Sequence, residues 1–304
     1  MSWVAAYSVA TAQDSTYYTV VAQQGDGIFS LLRKEGLDPV KHYGEFLDLN
    51  AAQLGEGSFL KVGLPYRIPR SGDGLRSTGI LIRTDRQGVE EPIFQGDLAQ
   101  FSPQSDNLKD AIYYIINDNQ DHATMEFVGD IVKDLAAELM VHGAKVYVLG
   151  EQDTTAQAMS ALKGNQRLGG YIDAINKRFL QNRGKYQRVL VIRTLDLDGQ
   201  GPFQVALYHD DRNQKGQRLA QNIQRVFKNN GLAGANSKVH VLATGDSSGL
   251  YLSNNILPAL SLLTLEKSHP RSDGRPIAPP NKERFAGWIS HGIMNDFAEL
   301  EIEQ

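Results

Sequence analysis

Between residues 109 and 298, short apolar segments alternate with longer stretches of helical periodicity. Ala111–Ile116, Ala144–Leu149, Arg188–Ile192, Phe203–Tyr208, Val239–Ala243 and Ala259–Leu265 read as strands. Helices are expected over Glu126–His142, Asn165–Asn182, Gln214–Lys228 and Asn281–Phe297. In the first of these, Phe127, Val128, Ile131, Leu135 and Leu139 share a face; in the third, Leu219, Ile223, Val226 and Phe227 do. The Arg188–Ile192 run shows no polar alternation, as a strand covered on both faces requires. Alternating elements of this kind predict an α/β domain with a mostly parallel or mixed sheet flanked by helices.

The chain has 304 residues, and at about 150 residues per domain that length leaves room for a second domain. Hydrophobic residues make up 41% and charged residues 22%, fractions that suit folded domains. Lys and Arg number 31 against 35 Asp and Glu, a net charge of −4. That is a poor footprint for a general nucleic-acid binder, so no nucleic-acid partner is expected. No apolar run approaches the roughly 18 residues of a membrane span. With no Cys in the chain, disulfides, thiolate zinc sites and Cys nucleophiles are excluded. Residues 1–16 have two readings. Ala10-Thr11-Ala12 resembles a signal-peptidase site, but no basic segment precedes it, so the stretch is a signal-peptide remnant or a flexible N-terminus.

Residues 17–69 form a second, smaller unit. Tyr17–Val21 reads as a strand, Gly25-Asp26-Gly27 breaks it, and Ile28, Leu31 and Leu32 follow at helical spacing up to Gly36. Asp38-Pro39 opens a second helix as cap and first residue, with Val40, Tyr43, Phe46 and Leu47 on its apolar face. A short strand closes the unit at Tyr66–Pro69. Residues 70–108 are rich in Gly, Ser, Asp and Pro and read as a linker with some local structure, including a strand over Gly79–Arg83.

Tyr18-Thr19-Val20, Gly25-Asp26-Gly27-Ile28, Leu49-Asn50, Leu60-Lys61-Val62-Gly63 and Ile68-Pro69 together resemble the LysM module in order and spacing. The resemblance implies a βααβ fold and binding to N-acetylglucosamine-containing glycans such as peptidoglycan. It puts the glycan groove at Gly25, Asp26, Gly27 and Ile28 and at a second loop holding Asn50, Ala51, Leu54 and Ser58. Gly27 departs from the Thr common at that position, which removes a possible helix cap.

Residues 109–304 resemble the zinc-dependent N-acetylmuramoyl-L-alanine amidases, in an arrangement like that of Bacteroidetes-type envelope proteins. The resemblance is carried by Ile112–Ile116, Glu126 with Asp130, Gly143–Tyr147, Asn165-Gln166-Arg167-Leu168, Tyr208-His209, Gly216–Ala220, Pro258-Ala259 and Ser290-His291-Gly292-Ile293. That family holds zinc with His, Glu and His and uses a Glu as general base. Neutral imidazole and carboxylate supply the lone pairs, and an open position holds the water. On the motif, the first His becomes Asn119, the second His becomes Arg193 and the base becomes Leu263, while Glu126 remains as the ligand Glu. Only six residues separate Asn119 from Glu126, so the loop expected between them is largely missing. No catalytic residue and no bound zinc are therefore expected. A metal site rebuilt from His122, Glu126 and His209 is the alternative. Glu126 itself has two further readings: a salt bridge to Arg193 where zinc would sit, or an acid favoured in the first turn of a helix.

These resemblances imply a peptidoglycan-binding protein of the periplasm or cell envelope with a degenerate amidase-like domain that holds a peptide stem or a protein partner. An active amidase with a rearranged metal site and an envelope scaffold without glycan contact are the rival expectations.

Overall fold

The computed structural model describes residues 16–54, 59–72, 74–84, 88–94, 98–101, 103–150, 164–195, 203–232, 238–243, 245–267 and 281–303. The chain divides into two compact units, Met1–Gly74 and Leu75–Gln304.

The small unit runs β1 (Tyr17–Val21), α1 (Ile28–Lys34), α2 (Pro39–Leu54) and β2 (Pro65–Pro69). Its two strands pair antiparallel, Tyr17 opposite Pro69 and Val21 opposite Pro65. Local chemistry sets the element ends. Gly36 takes φ 74, and the Leu37 N–H donates back to the Leu32 carbonyl, which closes α1. The Val40 N–H donates to Asp38 Oδ1 at 2.9 Å, which opens α2. Gly27 has no side chain to cap α1, and its own N–H is met by Ser30 Oγ at 2.8 Å. Leu31, Leu32, Phe46, Tyr66 and Ile68 form the core. The buried stripe of α2 is Pro39, His42, Phe46 and Asn50. Val40, expected on the apolar face, lies one residue off that stripe and is 81% exposed.

The larger unit is built on one eight-stranded sheet in the order β4-β3-β6-β5-β7-β10-β8-β9. The strands are β3 (Gly79–Arg83), β4 (Val89–Pro92), β5 (Ala111–Asn117), β6 (Lys145–Leu149), β7 (Tyr186–Leu195), β8 (Phe203–His209), β9 (His240–Val241) and β10 (Ala259–Lys267). β3, β6, β5, β7 and β10 run parallel. β4 joins β3 and β8 joins β10 antiparallel, so the sheet is mixed. The helices are α3 (Leu75–Thr78), α4 (His122–Val141), α5 (Gly164–Gln181), α6 (Gln214–Asn229), α7 (Ser247–Asn255) and α8 (Lys282–Glu303). α4, α6 and α8 cover one face through Val128, Leu135, Leu219, Phe227, Phe285 and Ile289. α5 and α7 cover the other through Leu168, Ile175 and Leu252. All seven residues of β5 are buried.

The structure departs from the sequence expectation in four places. The described residues of 75–108, within the stretch read as a linker with some local structure, belong to the larger unit. β3 and β4 supply its first two sheet strands, and Phe94, Leu98 and Leu108 enter its core. β4 reads as polar because its acids are tethers: Glu91 accepts from Arg83 at 3.0 Å and Glu90 from Arg178 at 2.9 Å. α4 begins at His122 rather than Glu126, because Asp121 caps it by accepting the Thr124 N–H at 2.9 Å. The strand expected over Val239–Ala243 shrinks to two residues, and α7 was not anticipated. Among the described residues no helix is long and apolar enough to cross a membrane.

Gly292 sets the α6–α8 spacing: a Cβ there would lie 2.6 Å from the Ile223 Cα, a backbone atom that cannot swing aside. Gly287, on the same helix, has nothing within 4 Å. Gly292→Ala should therefore cost about 1–3 kcal/mol in urea unfolding. Gly287→Ala should be neutral or gain up to about 1 kcal/mol.

Candidate functional site

The parallel strands β5, β7 and β10 end side by side, and the crevice outside the carboxyl ends of such strands is where α/β sheets place their sites. Just past β5, the Asp118 N–H donates to the Ile192 carbonyl at 3.0 Å, which extends the pairing with β7. Asn119 follows and is buried. Its Nδ2 donates to Asn117 Oδ1 at 2.7 Å and to the Ile192 carbonyl at 3.3 Å. Its Oδ1 accepts from the Thr194 N–H and from Thr194 Oγ1, both at 2.8 Å. Two donors and two lone pairs are all that an amide side chain offers, so Asn119 is fully engaged in tying β5 to β7.

Arg193 on β7 sits opposite Thr264 of β10 in the register, and its Nε reaches Thr264 Oγ1 at 3.5 Å. Its guanidinium forks onto Asp246, with Nη1 at 2.8 Å from Oδ1 and Nη2 on Oδ2. Asp246 is also the cap of α7 and accepts the Gly249 N–H at 2.9 Å. A second pair lies beside the first: Arg167 of α5 donates to Asp118 at 2.7 Å, with both side chains largely buried. Burial pushes the Asp246 carboxyl up, but the bonds from Arg193 and the Gly249 N–H outweigh it and hold the group below the usual carboxylate range. Asp118 goes the other way. Burial raises its carboxyl above the usual range although Arg167 and Arg193 oppose the rise. Two guanidiniums and two carboxylates thus close on one another.

The remaining residues singled out in the sequence lie elsewhere. Leu263 is fully buried opposite Ile192 and packs in the core on the α4, α6 and α8 face, whereas Thr264 shares the face of Arg193. Glu126 is on the solvent side of α4, 72% exposed, and its nearest ionic partner is His122 at 3.9 Å. Of the two readings of Glu126, the bridge to Arg193 is replaced by the fork to Asp246, and the first-turn acid fails because α4 starts at His122 and has no acid in its first turn. His209 is buried with Nδ1 on the Asp210 carbonyl at 2.9 Å. Among the described residues no group of three or more His, Asp or Glu is placed to hold a metal. The donor set at the four motif positions does not fit zinc: one amide is fully bonded, one side chain is a permanent cation, one is hydrocarbon facing away, and one is on the solvent side of a helix.

In the small unit, Gly25 takes φ 89 and is exposed with Gly27. Asp26 accepts the Gln23 N–H at 2.7 Å and pairs with Lys34, so it stiffens the β1–α1 turn. Ile28 is in the core. Asn50 is buried and bridges α2 to β2: its Nδ2 donates to the Phe46 and Arg67 carbonyls, and its Oδ1 accepts the Arg67 N–H at 2.7 Å. Ala51 is exposed and Leu54 half-buried, while Ser58 lies outside the described residues. Beside these positions, bonds between Ala22 and both Gly63 and Leu64 bring the end of β1 against the turn before β2, where Val21, Val62 and Leu64 are exposed.

Asp246, Arg167 and Asp118 were not assigned a role from sequence. Asp246-Ser247-Ser248-Gly249 carries a capping signal, Asp before a helix start, but nothing local says which strand end it meets.

No protein-family model matches the chain, and no curated protein matches it. Among solved structures it is similar to the CwlD amidase from Clostridioides difficile in complex with the GerS lipoprotein, with 12% identity over 62% of this chain and 98% of that one and a TM-score of 0.42. It is also similar to the catalytic domain of CwlV, an N-acetylmuramoyl-L-alanine amidase from Bacillus (Paenibacillus) polymyxa var. colistinus, at 12% identity over 61% and 97% with a TM-score of 0.39. A metallo-carboxypeptidase from Burkholderia cenocepacia is a third, at 13% identity over 64% and 58% with a TM-score of 0.37.

Two outcomes are expected at the fork. A double-mutant cycle of Arg193→Ala and Asp246→Ala should give a coupling of about 1.5–3 kcal/mol, whereas Glu126→Ala should stay within about 0.5 kcal/mol of the parent. The Asp246 carboxyl is held below the usual carboxylate range, so its stabilisation is present above that range and is lost as pH falls through the folded value. The stability difference between the parent and Asp246→Asn should therefore be constant over about pH 5–7 and shrink below about pH 4, read by denaturation at each pH.

Proposed function

We propose that this chain is a peptidoglycan-binding protein of the cell envelope whose larger unit keeps an amidase-like α/β frame without zinc or hydrolysis. One observation carries the reading: the Arg193–Asp246 fork stands where the resemblance puts the second zinc-binding His. Amide hydrolysis needs a centre that polarises the carbonyl and a base that activates water. Arg193 donates its fork to Asp246, and Asp246 is held in its ionised, hydrogen-bonded form. Neither is free to move a proton. A dication beside that guanidinium would meet about 4 kcal/mol of repulsion per unit charge at roughly 4 Å and an effective dielectric near 20.

Glycan contact belongs to the small unit in this reading. The LysM-like motif order supports it. So does the surface beside Gly25 and Gly27, where Val21, Val62 and Leu64 expose apolar area next to glycines whose backbone a ligand can approach closely. Pyranose rings present apolar C–H faces to such side chains and hydroxyls to backbone groups. Asp26 and Asn50 would act by holding the two loops, not by touching sugar, since their polar atoms are engaged within the fold.

The test is sedimentation of the full chain with purified peptidoglycan sacculi, alongside digestion of muropeptides with zinc added. The protein should pellet, be released by N-acetylglucosamine oligomers, and leave the muropeptide amide intact. Protein that stays in the supernatant at every sacculus concentration defeats the binding half. Zinc-dependent release of stem peptide defeats the other half.

A further inference from the structure

The side of α6 that faces away from the core carries its own cavity. Gln217, Gln221, Gln224 and Lys228 recur every three or four residues and form one stripe along the helix. Leu219, Ile223 and Phe227, fully buried against the sheet, fix the helix so that this stripe cannot rotate away. Together with Arg225, Lys238 and Val239 the stripe lines a cavity of about 440 Å³. Among the lining residues, Gln224 is buried and Gln221 is exposed.

The charge of the cavity is one-sided. Among the described residues no carboxylate lines it. Glu299 of α8 engages Arg225 Nη1 at 3.1 Å and the Asn222 amide at 2.9 Å, so one guanidinium is answered from outside the lining. Lys228 and Lys238 remain as the cations of the cavity. The chain as a whole carries a net charge of −4, so this concentration of positive charge is not a reflection of composition.

We propose that this cavity is a binding site for a phosphorylated polyol, with the phosphate taken by Lys228 and Lys238 and the hydroxyls by the amides of Gln217 and Gln221. Ammonium groups act as point charges toward phosphate oxygens. A phosphate monoester carries about −1.5 to −2 at neutral pH, which matches two lysines better than the single charge of a carboxylate does. The Gln217 and Gln221 amides each offer a donor pair and an acceptor, the pairing that vicinal hydroxyls use. The volume lies within the roughly 300–1,000 Å³ of small-molecule sites, and the carbon stems of the lysines and glutamines, with Val239, offer the C–H face of a polyol a surface to rest on.

Isothermal titration of the full chain with glucose 1-phosphate tests this, with inorganic phosphate, glucose and glucuronate as separate arms at one ionic strength. Glucose 1-phosphate should bind at least about 10-fold more tightly than any of the other three. Lys228→Gln with Lys238→Gln should weaken it by about 10-fold or more, while Lys228→Arg with Lys238→Arg keeps most of the affinity. Gln217→Ala with Gln221→Ala should weaken glucose 1-phosphate by about 3-fold or more and leave inorganic phosphate unchanged. Equal affinity for inorganic phosphate and glucose 1-phosphate overturns the polyol assignment. No binding by the parent protein, or binding untouched by the lysine-to-glutamine pair while that variant melts like the parent, overturns the site.

Discussion

Every residue of β5 is buried, and so is most of β7, its neighbour. A central strand pair covered on both faces leaves no backbone donor or acceptor that water can reach, so every polar group near the strand ends must find a protein partner. The rest of the larger unit follows from that constraint. Helices are needed on both faces, which is why α4, α6 and α8 lie on one side and α5 and α7 on the other. Where β5 and β7 run out, Asn119 takes over the bonding with its side chain and carries the pairing past the last ladder bond.

Both ends of the sheet meet the same requirement with buried charge, in different ways. At the amino end, Asp296 of α8 is fully buried and accepts from Arg218 at 2.6 Å and from the Tyr186 hydroxyl, with Arg188 at 3.6 Å. Those bonds join two helices, α6 and α8, to the start of β7. At the carboxyl end the two pairs, Asp118–Arg167 and Arg193–Asp246, join β5 to α5 and β7 to the cap of α7. Buried pairs of this kind contribute little to net stability over a hydrocarbon replacement, but removing one partner strands the other at several kcal/mol. They act as registers: each allows only one way for a helix to meet a strand end.

The fold was legible because its signals are local. The strands Ala111–Asn117 and Ala259–Lys267 and the striped helix Gln214–Asn229 end within a residue or two of expectation. Gly36 and Asp38-Pro39 mark their helix ends by chemistry that needs no tertiary context. What escaped was non-local. β4, with two Glu in four residues, looks like loop until Arg83 and Arg178 are seen to hold those acids. α7 is nine residues with a weak apolar face. Asp246 is legible as a cap but not as the partner of a guanidinium 53 residues away. Val40 and Glu126 fail for one reason: helical spacing places a residue within about one turn's rotation, and the choice between burial and solvent depends on what packs against the helix.

The four positions that the amidase resemblance singles out lie in four different environments. Asn119 spends its amide on β7, Arg193 spends its fork on Asp246, Leu263 fills the core on the opposite face, and Glu126 sits at the surface of α4. These environments do not share a centre, so no single replacement moves the site toward metal binding. A His at 193 would leave Asp246, a helix cap held below the usual carboxylate range, without the cation that stabilises it. A His at 119 would break a fully used amide between two buried strands. A Glu at 263 would bury a carboxylate in hydrocarbon on the wrong side of the sheet. Each of these substitutions meets its own penalty before any ligand is gained.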